Sequence, residues 1–304
     1  MNYVDSQRKR AIQLVEGGFF EGDPGGAMFK GTPQRHVLQS GLFNLYPDIR
    51  TNAIEYFEKN DISWWFGSRP NGHTLATQTA CLNHLFPLRQ DKKAVLNLLK
   101  TFSNEFTDVF TIPEKLEGFI QFESLGANAN HLKEGFSSRG VNCTCLGALI
   151  IAKRKSGRRV LIPIDWVYTE SYRHDDKSLG NKGASRKARY LSLIENSNFL
   201  NEDALNYVWF EPFFRLMKQT VLAEQIIVHQ DPGYEADDLL FLHVVPSENE
   251  QFLGAYRSSG KSMLETWKSC LVNPEKYVLI DPSKLWSRQE KRAVLAQYLK
   301  HRYW

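Results

Sequence analysis

The sequence predicts an α/β protein in which one mixed central β-sheet is flanked by helices on both faces. Helical patterns occupy the first third of the chain, whereas strand-like patterns begin near residue 117. Two of these strands form a hairpin that is apolar on both faces, which is typical of strands in the middle of a sheet that helices cover. Further helices and one more buried strand follow, and this order of elements indicates a layered α/β architecture.

The composition is that of a folded globular protein. Of the 304 residues, 42% are hydrophobic and 24% are charged, and the chain contains seven Trp, twelve Tyr and nineteen Phe. This aromatic content excludes extensive disorder. No apolar run approaches the roughly 18 residues that span a bilayer, and no apolar stretch follows the basic N-terminal residues as a secretory signal requires. The sequence therefore predicts a cytoplasmic protein that does not bind membranes.

The first part of the chain is predicted to be mainly helical. Residues 1–50 mix Gly, Pro and polar residues, so we expect irregular structure with short helices there. Apolar stripes at helical spacing predict three helices, over 48–60, 74–88 and 91–103. Asp91 is suited to cap the third of them. We expect residues 1–115 to pack on a core formed by residues 116–304, so that the whole chain is a single domain.

From about residue 117 the pattern changes to that of a β-sheet. The sequence EGFIQFES alternates as a strand does, and two longer apolar runs are joined by a tight turn at Ser156-Gly157. A polar loop and a helix from about Ser185 follow. The remaining elements are predicted to be a helix over 211–226, a buried strand at DLLFLHVVP, and helices over 260–271 and 287–300.

The predicted hairpin has a geometry that suits phosphodiester hydrolysis. That reaction requires neutralisation of charge at the phosphorus and activation of a water, and a divalent metal held by carboxylates on adjacent strands supplies both. Residues two apart on a strand share a face. A carboxylate on one strand, opposite a carboxylate and a lysine that are two apart on the next, therefore gathers three catalytic groups at one metal.

The hairpin also resembles a known catalytic motif. The stretch from Arg139 to Tyr172, RGVNCTCLGALIIAKRKSGRRVLIPIDWVYTESY, resembles the catalytic hairpin of a bacterial restriction-endonuclease-like family within the PD-(D/E)XK nuclease superfamily. Members of that family carry a pattern close to RGAN-x-T-[SA]-x-DA on the first strand and close to I-E-W-K-Y-T-E on the second. Upstream, LATQTACLNHLFPL is similar to a family helix, and downstream FRLMKQTVLAEQ and ADDLLFLHVVP resemble a later helix and strand. The resemblance implies the restriction-endonuclease-like fold, and the family resembles Mg²⁺-dependent DNA endonucleases.

The chain departs from the family pattern at the metal-binding positions. The family's Asp on the first strand falls at Gly147, its Glu on the second strand falls at Asp165, and its Lys falls at Val167. Gly147 offers no ligand and Val167 cannot polarise water. We therefore expect Mg²⁺ to bind weakly or not at all, with Asp165 as its remaining protein ligand. The resemblance thus implies a nuclease fold with a degenerate catalytic site.

Two functional hypotheses of different classes remain open, beside a purely structural subunit. In the favoured one, the chain has lost catalysis and retains binding of DNA or of a partner. In the alternative, it is an active Mg²⁺-dependent DNA endonuclease with a rearranged site, in which Asp165 works with Glu123 or Glu170. Glu170 has the opposite parity to Asp165 on the strand and corresponds to a Glu that the family keeps, which favours a supporting role. Because restriction-type nucleases often act as dimers, a homodimer is a further expectation.

Basic residues cluster at two places in the sequence. The formal net charge is only +4, so the clusters are more informative than the total. Those around a Gly-rich loop and the start of a helix are the predicted contacts to phosphate groups: Lys182, Arg186, Lys187 and Arg189. A second cluster flanks the hairpin turn, from Lys153 to Arg159. A solvated surface without a partner is the alternative interpretation of both.

Overall fold

A mixed β-sheet of seven strands forms the centre of the protein, as the sequence predicts. The computed structural model describes residues 2–135, 138–140, 143–172 and 176–304. Two predicted features fall partly outside these ranges: the start of the first hairpin strand at Asn142, and the start of the polar loop at Arg173.

Helices precede, separate and follow the strands along the chain. The α-helices are α1 (Tyr3–Glu16), α2 (Arg50–Lys59), α3 (Thr77–Leu85), α4 (Lys92–Leu99), α5 (Gly180–Glu195), α6 (Phe213–Val228), α7 (Glu250–Leu253), α8 (Met263–Ser269), α9 (Pro282–Leu285) and α10 (Ala293–Tyr303). Short 3₁₀ helices lie at Gly41–Asn44, Pro47–Ile49, Phe86–Leu88, Glu202–Asn206, Pro274–Lys276 and Glu290–Arg292. The segment from Phe86 continues α3, so the predicted helix over 74–88 is confirmed in two parts.

Side-chain caps define where several of these helices begin. The Asp91 carboxylate accepts a hydrogen bond from the Ala94 backbone N–H, which confirms the predicted cap of α4. Ser262 and Glu265 form a reciprocal capping box at the start of α8. At α1, the Asn2 side chain accepts from the Asp5 N–H. Each of these contacts satisfies backbone donors that have no partner within their own helix.

The strands form one large sheet and one small hairpin. The strands are β1 (Met28–Phe29), β2 (Thr32–Pro33), β3 (Phe106–Phe110), β4 (Gln121–Ser124), β5 (Leu146–Arg154), β6 (Arg159–Trp166), β7 (Asp238–Leu239), β8 (Phe241–Val244) and β9 (Tyr277–Ile280). In the large sheet the order is β3-β5-β6-β8-β9, with β4 also paired to β5 and β7 also paired to β6. The pairs β3–β5, β4–β5 and β5–β6 are antiparallel, whereas β8 runs parallel to β6 and β9 parallel to β8. In the described ranges, β1 and β2 pair with each other and form a separate two-stranded sheet.

The hairpin β5–β6 lies in the middle of the sheet, as predicted from its apolar composition. Ala148 pairs with Ile164 and Ala152 with Val160, in a regular antiparallel register. One face of the hairpin packs on a core with helices from the N-terminal part, including Leu98 of α4. The opposite face packs on a second core that includes Leu222 of α6. Helices therefore cover both faces, and the predicted fold class is confirmed.

Several elements differ from the sequence-based predictions. Helix α1 is a longer helix in a region where irregular structure with short helices was expected, because Tyr3, Gln7, Ala11 and Val15 recur every four residues and form a narrow buried stripe. Helix α5 begins at Gly180, five residues earlier than predicted. Strand β3 lies in the part predicted to be mainly helical and pairs with β5, and β9 was not predicted. Within the described ranges, no helix is long and apolar enough to cross a membrane.

Candidate functional site

Gly147 and Asp165 lie opposite each other on the two strands of the hairpin. The register that pairs Ala148 with Ile164 places them across from each other when it is continued by one residue. Both belong to the face of the sheet that is covered by α6. Val167 follows Asp165 by two residues on that same face. The structure thus brings the three positions of the degenerate motif to one region.

Asp165 is held by side chains from two other elements. Its carboxylate is only 2% exposed. Oδ1 accepts hydrogen bonds from Arg215 Nη2 at 2.5 Å and from Gln219 Nε2 at 3.1 Å. Both donors come from α6, where a spacing of four residues puts them on one side of the helix. Oδ2 lies 3.4 Å from Nε2 of His243, which is the neighbour of Asp165 on the parallel strand β8.

The charge that balances Asp165 is the guanidinium of Arg215. Burial lowers the pKa of His243 to about 4, and the nearby Asp165 carboxylate only partly opposes this effect. His243 is therefore neutral at pH 7. Burial works against the charge of Arg215, but Asp165, Tyr172 and Glu170 together outweigh it and keep the pKa of Arg215 above its usual range. The result is a largely buried ion pair between α6 and β6.

A cavity of about 430 Å³ opens beside Gly147, at the end of the hairpin that is remote from its turn. Polar and charged side chains from four different parts of the chain line it beside Gly147. They include Gln78, Glu123, Glu170, Arg215 and Gln219. The two glutamates that the sequence offered as substitute ligands thus share one cavity with Gly147 and with the two partners of Asp165.

Glu123 reaches this cavity from β4. Its backbone adopts a left-handed conformation, with φ of 50°. Its carboxylate accepts a hydrogen bond of 3.0 Å from Gln78 Nε2. Burial raises the pKa of Glu123 above its usual value of 4.5, and the Gln78 hydrogen bond and the charges of Arg215 and Arg139 offset this only in part.

Glu170 lies just beyond β6 and is fixed by local hydrogen bonds. One carboxylate oxygen accepts from the backbone N–H of Tyr168 at 2.8 Å, and the other accepts from the hydroxyl of Thr77. Thr77 and Gln78 are consecutive residues in the first turn of α3. One helix end therefore positions both glutamates of the cavity.

Val167 occupies the position of the family's lysine but belongs to the hydrophobic core. Its side chain is 1% exposed and packs with Phe252 and other apolar residues of the α6 face. Its backbone N–H donates to the carbonyl of Val244 at 2.8 Å, so the strand pairing continues past Trp166. An apolar group at this depth supplies no proton and no charge to the cavity.

The donor set at the degenerate motif does not fit a hard divalent cation. Mg²⁺ and Ca²⁺ require about six oxygen ligands, usually with more than one carboxylate. Gly147 supplies none, and Oδ1 of Asp165 already accepts from Arg215 and Gln219. In the part of the chain that the structure describes, no group of three or more His, Cys, Asp or Glu side chains is arranged to hold a metal ion.

The predicted phosphate contacts lie on α5, which packs against α6. Lys182, Lys187 and Arg189 are exposed, whereas Arg186 is half-buried and donates to the Lys177 carbonyl at 3.0 Å. A further cation, Lys218 of α6, was not predicted from the sequence. Burial lowers the pKa of Lys218, the Glu134 and Glu211 carboxylates oppose this effect, and the charges of Arg215 and Arg186 lower the pKa further.

The side chains of Arg186, Lys218 and Arg215 interact electrostatically and so connect α5 with the cavity, although carboxylates lie close to the last two. Lys218 and Arg215 both belong to the helix predicted over 211–226. The signal that marks Arg215 and Gln219 is a pair of polar residues four apart in a helix whose other residues are mostly buried and apolar.

A family model described as "Restriction Endonuclease associating with ARP" matches residues 13–304. No curated protein and no solved structure gives a significant match. The matched range includes the hairpin, both helices that supply the cavity, and the basic helix α5.

Proposed function

The chain belongs to the restriction-endonuclease family described as associating with ARP, and on this premise we propose that it has lost metal-dependent cleavage and retains binding of nucleic acid. The observation that supports the loss of cleavage is the ion pair between Arg215 and Asp165. The Arg215 guanidinium and the Gln219 amide both donate to Oδ1 of Asp165, so this carboxylate oxygen is already engaged. Fold and family alone would not decide this, because activity depends on the site.

The ion pair disfavours metal binding for an electrostatic reason. A divalent cation that approached Oδ1 of Asp165 would have to displace Arg215, which would then remain as a positive charge close to the metal. Repulsion between such charges is strong where water is largely excluded. Asp165 therefore acts as the partner of Arg215, and the metal contribution of the motif is absent or weak.

The remaining two positions weaken the case for catalysis further. Gly147 has no side chain, and Val167 lies in the core. Loss of one preorganised electrostatic group typically costs about 10²–10³ in rate, although two such losses need not add. A site that lacks both the first carboxylate and the lysine would turn over phosphodiesters very slowly.

Binding of nucleic acid is supported by the distribution of positive charge. Lys182, Lys187 and Arg189 project from one helix, and Arg186 and Lys218 extend this charge toward the cavity. Lysine and arginine side chains bind phosphates without regard to sequence and provide most of the affinity for a nucleic-acid backbone. We propose DNA as the nucleic acid, in keeping with the family.

The alternative is an active Mg²⁺-dependent endonuclease with a rearranged site. The observation that favours it is the presence of Glu123 and Glu170 in one cavity with Gly147. Side chains of α3 donate hydrogen bonds to both carboxylates. Among the described residues, neither carboxylate forms an ion pair as short as that between Asp165 and Arg215. In this alternative, Asp165 would bind the metal together with Glu123 or Glu170, which would replace the family's aspartate.

Two measurements separate these functions. Calorimetric titration with Mn²⁺ is expected to reveal no tight site, and a plasmid incubated with Mg²⁺ and excess protein is expected to remain supercoiled. Tight Mn²⁺ binding that Glu123→Gln or Glu170→Gln abolishes, together with nicking lost in the same variants, would establish the endonuclease instead. The variant Glu265→Gln, on the surface of α8, serves as the matched control.

Association with other chains is a separate part of the proposal. The family's description names an association with ARP. If the protein does not bind nucleic acid, we propose that its non-catalytic function is to bind such a partner. A homodimer stays a prediction. Light scattering from the purified protein measures the mass in solution and so tests it.

A further inference from the structure

We infer that the cavity beside Gly147 binds a single nucleobase of an unpaired strand, which stacks on Trp65 at the cavity mouth. This inference deepens the proposed function and rests on it for the binding of the strand, although a free nucleotide offers the same chemistry. It depends on a buried acceptor without a partner, on an exposed aromatic cluster, and on the separation of charges between the inside and the outside of the cavity.

The buried acceptor is the side-chain oxygen of Gln219. Gln219 lines the cavity and is 4% exposed. Its Nε2 donates to Asp165 Oδ1 at 3.1 Å and to the Cys145 carbonyl at 3.2 Å. Because both partners are acceptors, the orientation of the amide is fixed, and Oε1 must be the free end. Among the residues that the structure describes, no group donates to Oε1.

A buried acceptor without a donor is costly, and native proteins rarely retain one unless water or a ligand satisfies it. Glu123 adds two more acceptor atoms to the same cavity, and Arg215 adds donors. The cavity therefore fits a planar group that presents N–H donors beside an acceptor. The Watson–Crick edge of a nucleobase with an exocyclic amino group has this pattern.

The cavity is small enough to select a single base. Its volume of about 430 Å³ lies near the lower limit of ligand pockets, which range from about 300 to 1,000 Å³. Phe57, Phe122 and Trp166 contribute aromatic surface to its walls. A base in a duplex is stacked and paired, so only a single-stranded or extruded base can reach such a site.

Three aromatic side chains, Phe29, Trp65 and Phe66, form what we call the mouth cluster. Trp65 lines the cavity and is 36% exposed, while Phe66 is 66% exposed. The ring centroids of Trp65 and Phe66 are 4.3 Å apart, and those of Phe29 and Phe66 are 5.7 Å apart. Phe66 also has a φ of 68°, a left-handed conformation that is unfavourable for a bulky residue. Strain of this kind concentrates at binding sites.

Charges around the mouth cluster identify what would cover it. The ammonium of Lys30 lies 5.5 Å from the ring centroid of Phe29, outside the cavity. Aromatic platforms flanked by cations are the surfaces that bind single-stranded nucleic acid, because each base can stack and each phosphate can meet a cation. Inside the cavity, the charge of Arg215 is balanced by Asp165. The carboxylates of Glu123 and Glu170 therefore repel phosphate but accept hydrogen bonds from amino groups.

The two sets of charges therefore orient the ligand. The base enters the cavity with its amino edge toward Glu123 and Gln219, and the phosphates stay outside near Lys30. Cytosine, adenine and guanine have an exocyclic amino group at this edge, whereas thymine has carbonyl oxygens that would face the carboxylates. The inference thus predicts that strands of bases with an amino group, such as cytosine, bind more tightly than strands of thymine.

Fluorescence anisotropy with short labelled strands tests the inference on the full chain. We expect oligo-dC to bind about tenfold or more tightly than oligo-dT and than the duplex of dC with dG. Trp65→Ala is expected to weaken oligo-dC binding by about tenfold, a loss typical of one stacked base. Trp65→Phe should restore most of it. The control is Val294→Ala, an exposed position on α10.

Each outcome decides between the inference and the proposed function. Equal binding of single strands and duplex, unaffected by Trp65→Ala, would overturn the base pocket and leave nucleic-acid binding in place. If no strand binds, calorimetry with cytidine 5′-monophosphate decides the remaining point. If cytidine 5′-monophosphate binds and Trp65→Ala abolishes its binding, the pocket is supported and the proposed nucleic-acid function is contradicted. If the nucleotide does not bind either, both the pocket and the proposed function are overturned.

Discussion

Arg215 Nη2 lies 2.5 Å from Asp165 Oδ1, so the carboxylate that remains from the nuclease motif is neutralised by a guanidinium from a helix fifty residues later in the chain. The Asp165 side chain is 2% exposed and that of Arg215 is 32% exposed. This asymmetry means that loss of the arginine is more harmful than loss of the aspartate, because only Arg215 can turn toward water.

Arg215→Ala is therefore expected to destabilise the fold by about 3–5 kcal/mol, since it leaves a buried charge without a partner. Asp165→Ala should cost less, and the double variant should cost less than the sum of the two. Urea unfolding of all four proteins measures this coupling. Arg8→Ala, which breaks an exposed pair with Asp5, is the control and should cost about 1 kcal/mol or less. Strictly additive losses at positions 165 and 215 would contradict the ion pair.

Restoration of the family pattern tests the proposed loss of metal binding. Gly147→Asp, Asp165→Glu and Val167→Lys together should raise Mn²⁺ affinity and plasmid nicking. A β-carbon at position 147 would lie 3.3 Å from the Ile164 carbonyl oxygen, which is tight but requires only a small shift. Adding Arg215→Gln should raise both quantities further, because it removes the competing cation. Equal activity with and without the change at Arg215 would refute this competition.

Glu123 makes stability depend on pH in a specific direction. Because burial raises its pKa above 4.5, the folded state holds the proton more tightly than the unfolded state, and stability falls as the pH rises through this range. Glu123→Gln removes the penalty and keeps an acceptor for Gln78. The variant should therefore unfold at a higher temperature than the parent at pH 7, and the gain should vanish below about pH 4.

The control for this measurement is Glu265, a glutamate whose pKa is lowered rather than raised. Hydrogen bonds from the Ser262 side chain and backbone lower the pKa of the Glu265 carboxyl on the surface of α8. Glu265→Gln should therefore give no stabilisation at pH 7. A gain from Glu123→Gln that persists unchanged at acid pH would show that the cause is not the protonation of Glu123.

The salt dependence of DNA affinity tests the basic helix α5. Each phosphate contact contributes about 0.9 to the slope of log affinity against log salt concentration for duplex DNA. Reversal of charge at Lys182, Lys187 and Arg189 removes up to three phosphate contacts, so the slope should become less steep by up to about three times 0.9. These three residues are more suitable than Arg186, which also holds the Lys177 carbonyl. An unchanged slope would remove α5 from the interface.

The matched control uses the other basic cluster, at the hairpin turn. Lys153 lies near the turn, at the end of β5 away from Gly147, and is exposed. Reversal of the charge of Lys153 changes the net charge by the same amount per residue, but it should leave most of the slope of log affinity against log salt concentration unchanged. Comparable effects at both clusters would indicate that only total charge matters.

The hairpin could be predicted in detail because its register follows from its turn. Once Ser156-Gly157 is taken as the turn, equal counts along both strands place Gly147 opposite Asp165. The continuous apolar runs of the two strands also indicated their central place in the sheet. Local chemistry likewise sufficed for the Asp91 cap, since a cap depends on contacts three residues away.

The partners of the site could not be predicted in the same way. Arg215 is fifty residues from Asp165, and its position depends on how α6 rotates against the sheet, which tertiary packing decides. Helix α1 was missed for a different reason. Its buried stripe is one residue wide and includes Gln7, so the apolar pattern is too weak to stand out from the surrounding Gly-rich sequence.

The cavity is formed by the mainly helical N-terminal part of the chain and by the part that contains most of the sheet. Its floor comes from the sheet and α6, whereas Trp65, Thr77 and Gln78 come from the helical part before residue 115. Divergence among related chains can therefore alter ligand preference by substitutions in the loop before α3 and in its first turn, without disturbing the strands on which the fold depends. A comparison limited to the hairpin would classify such chains as equivalent even after their specificities had separated.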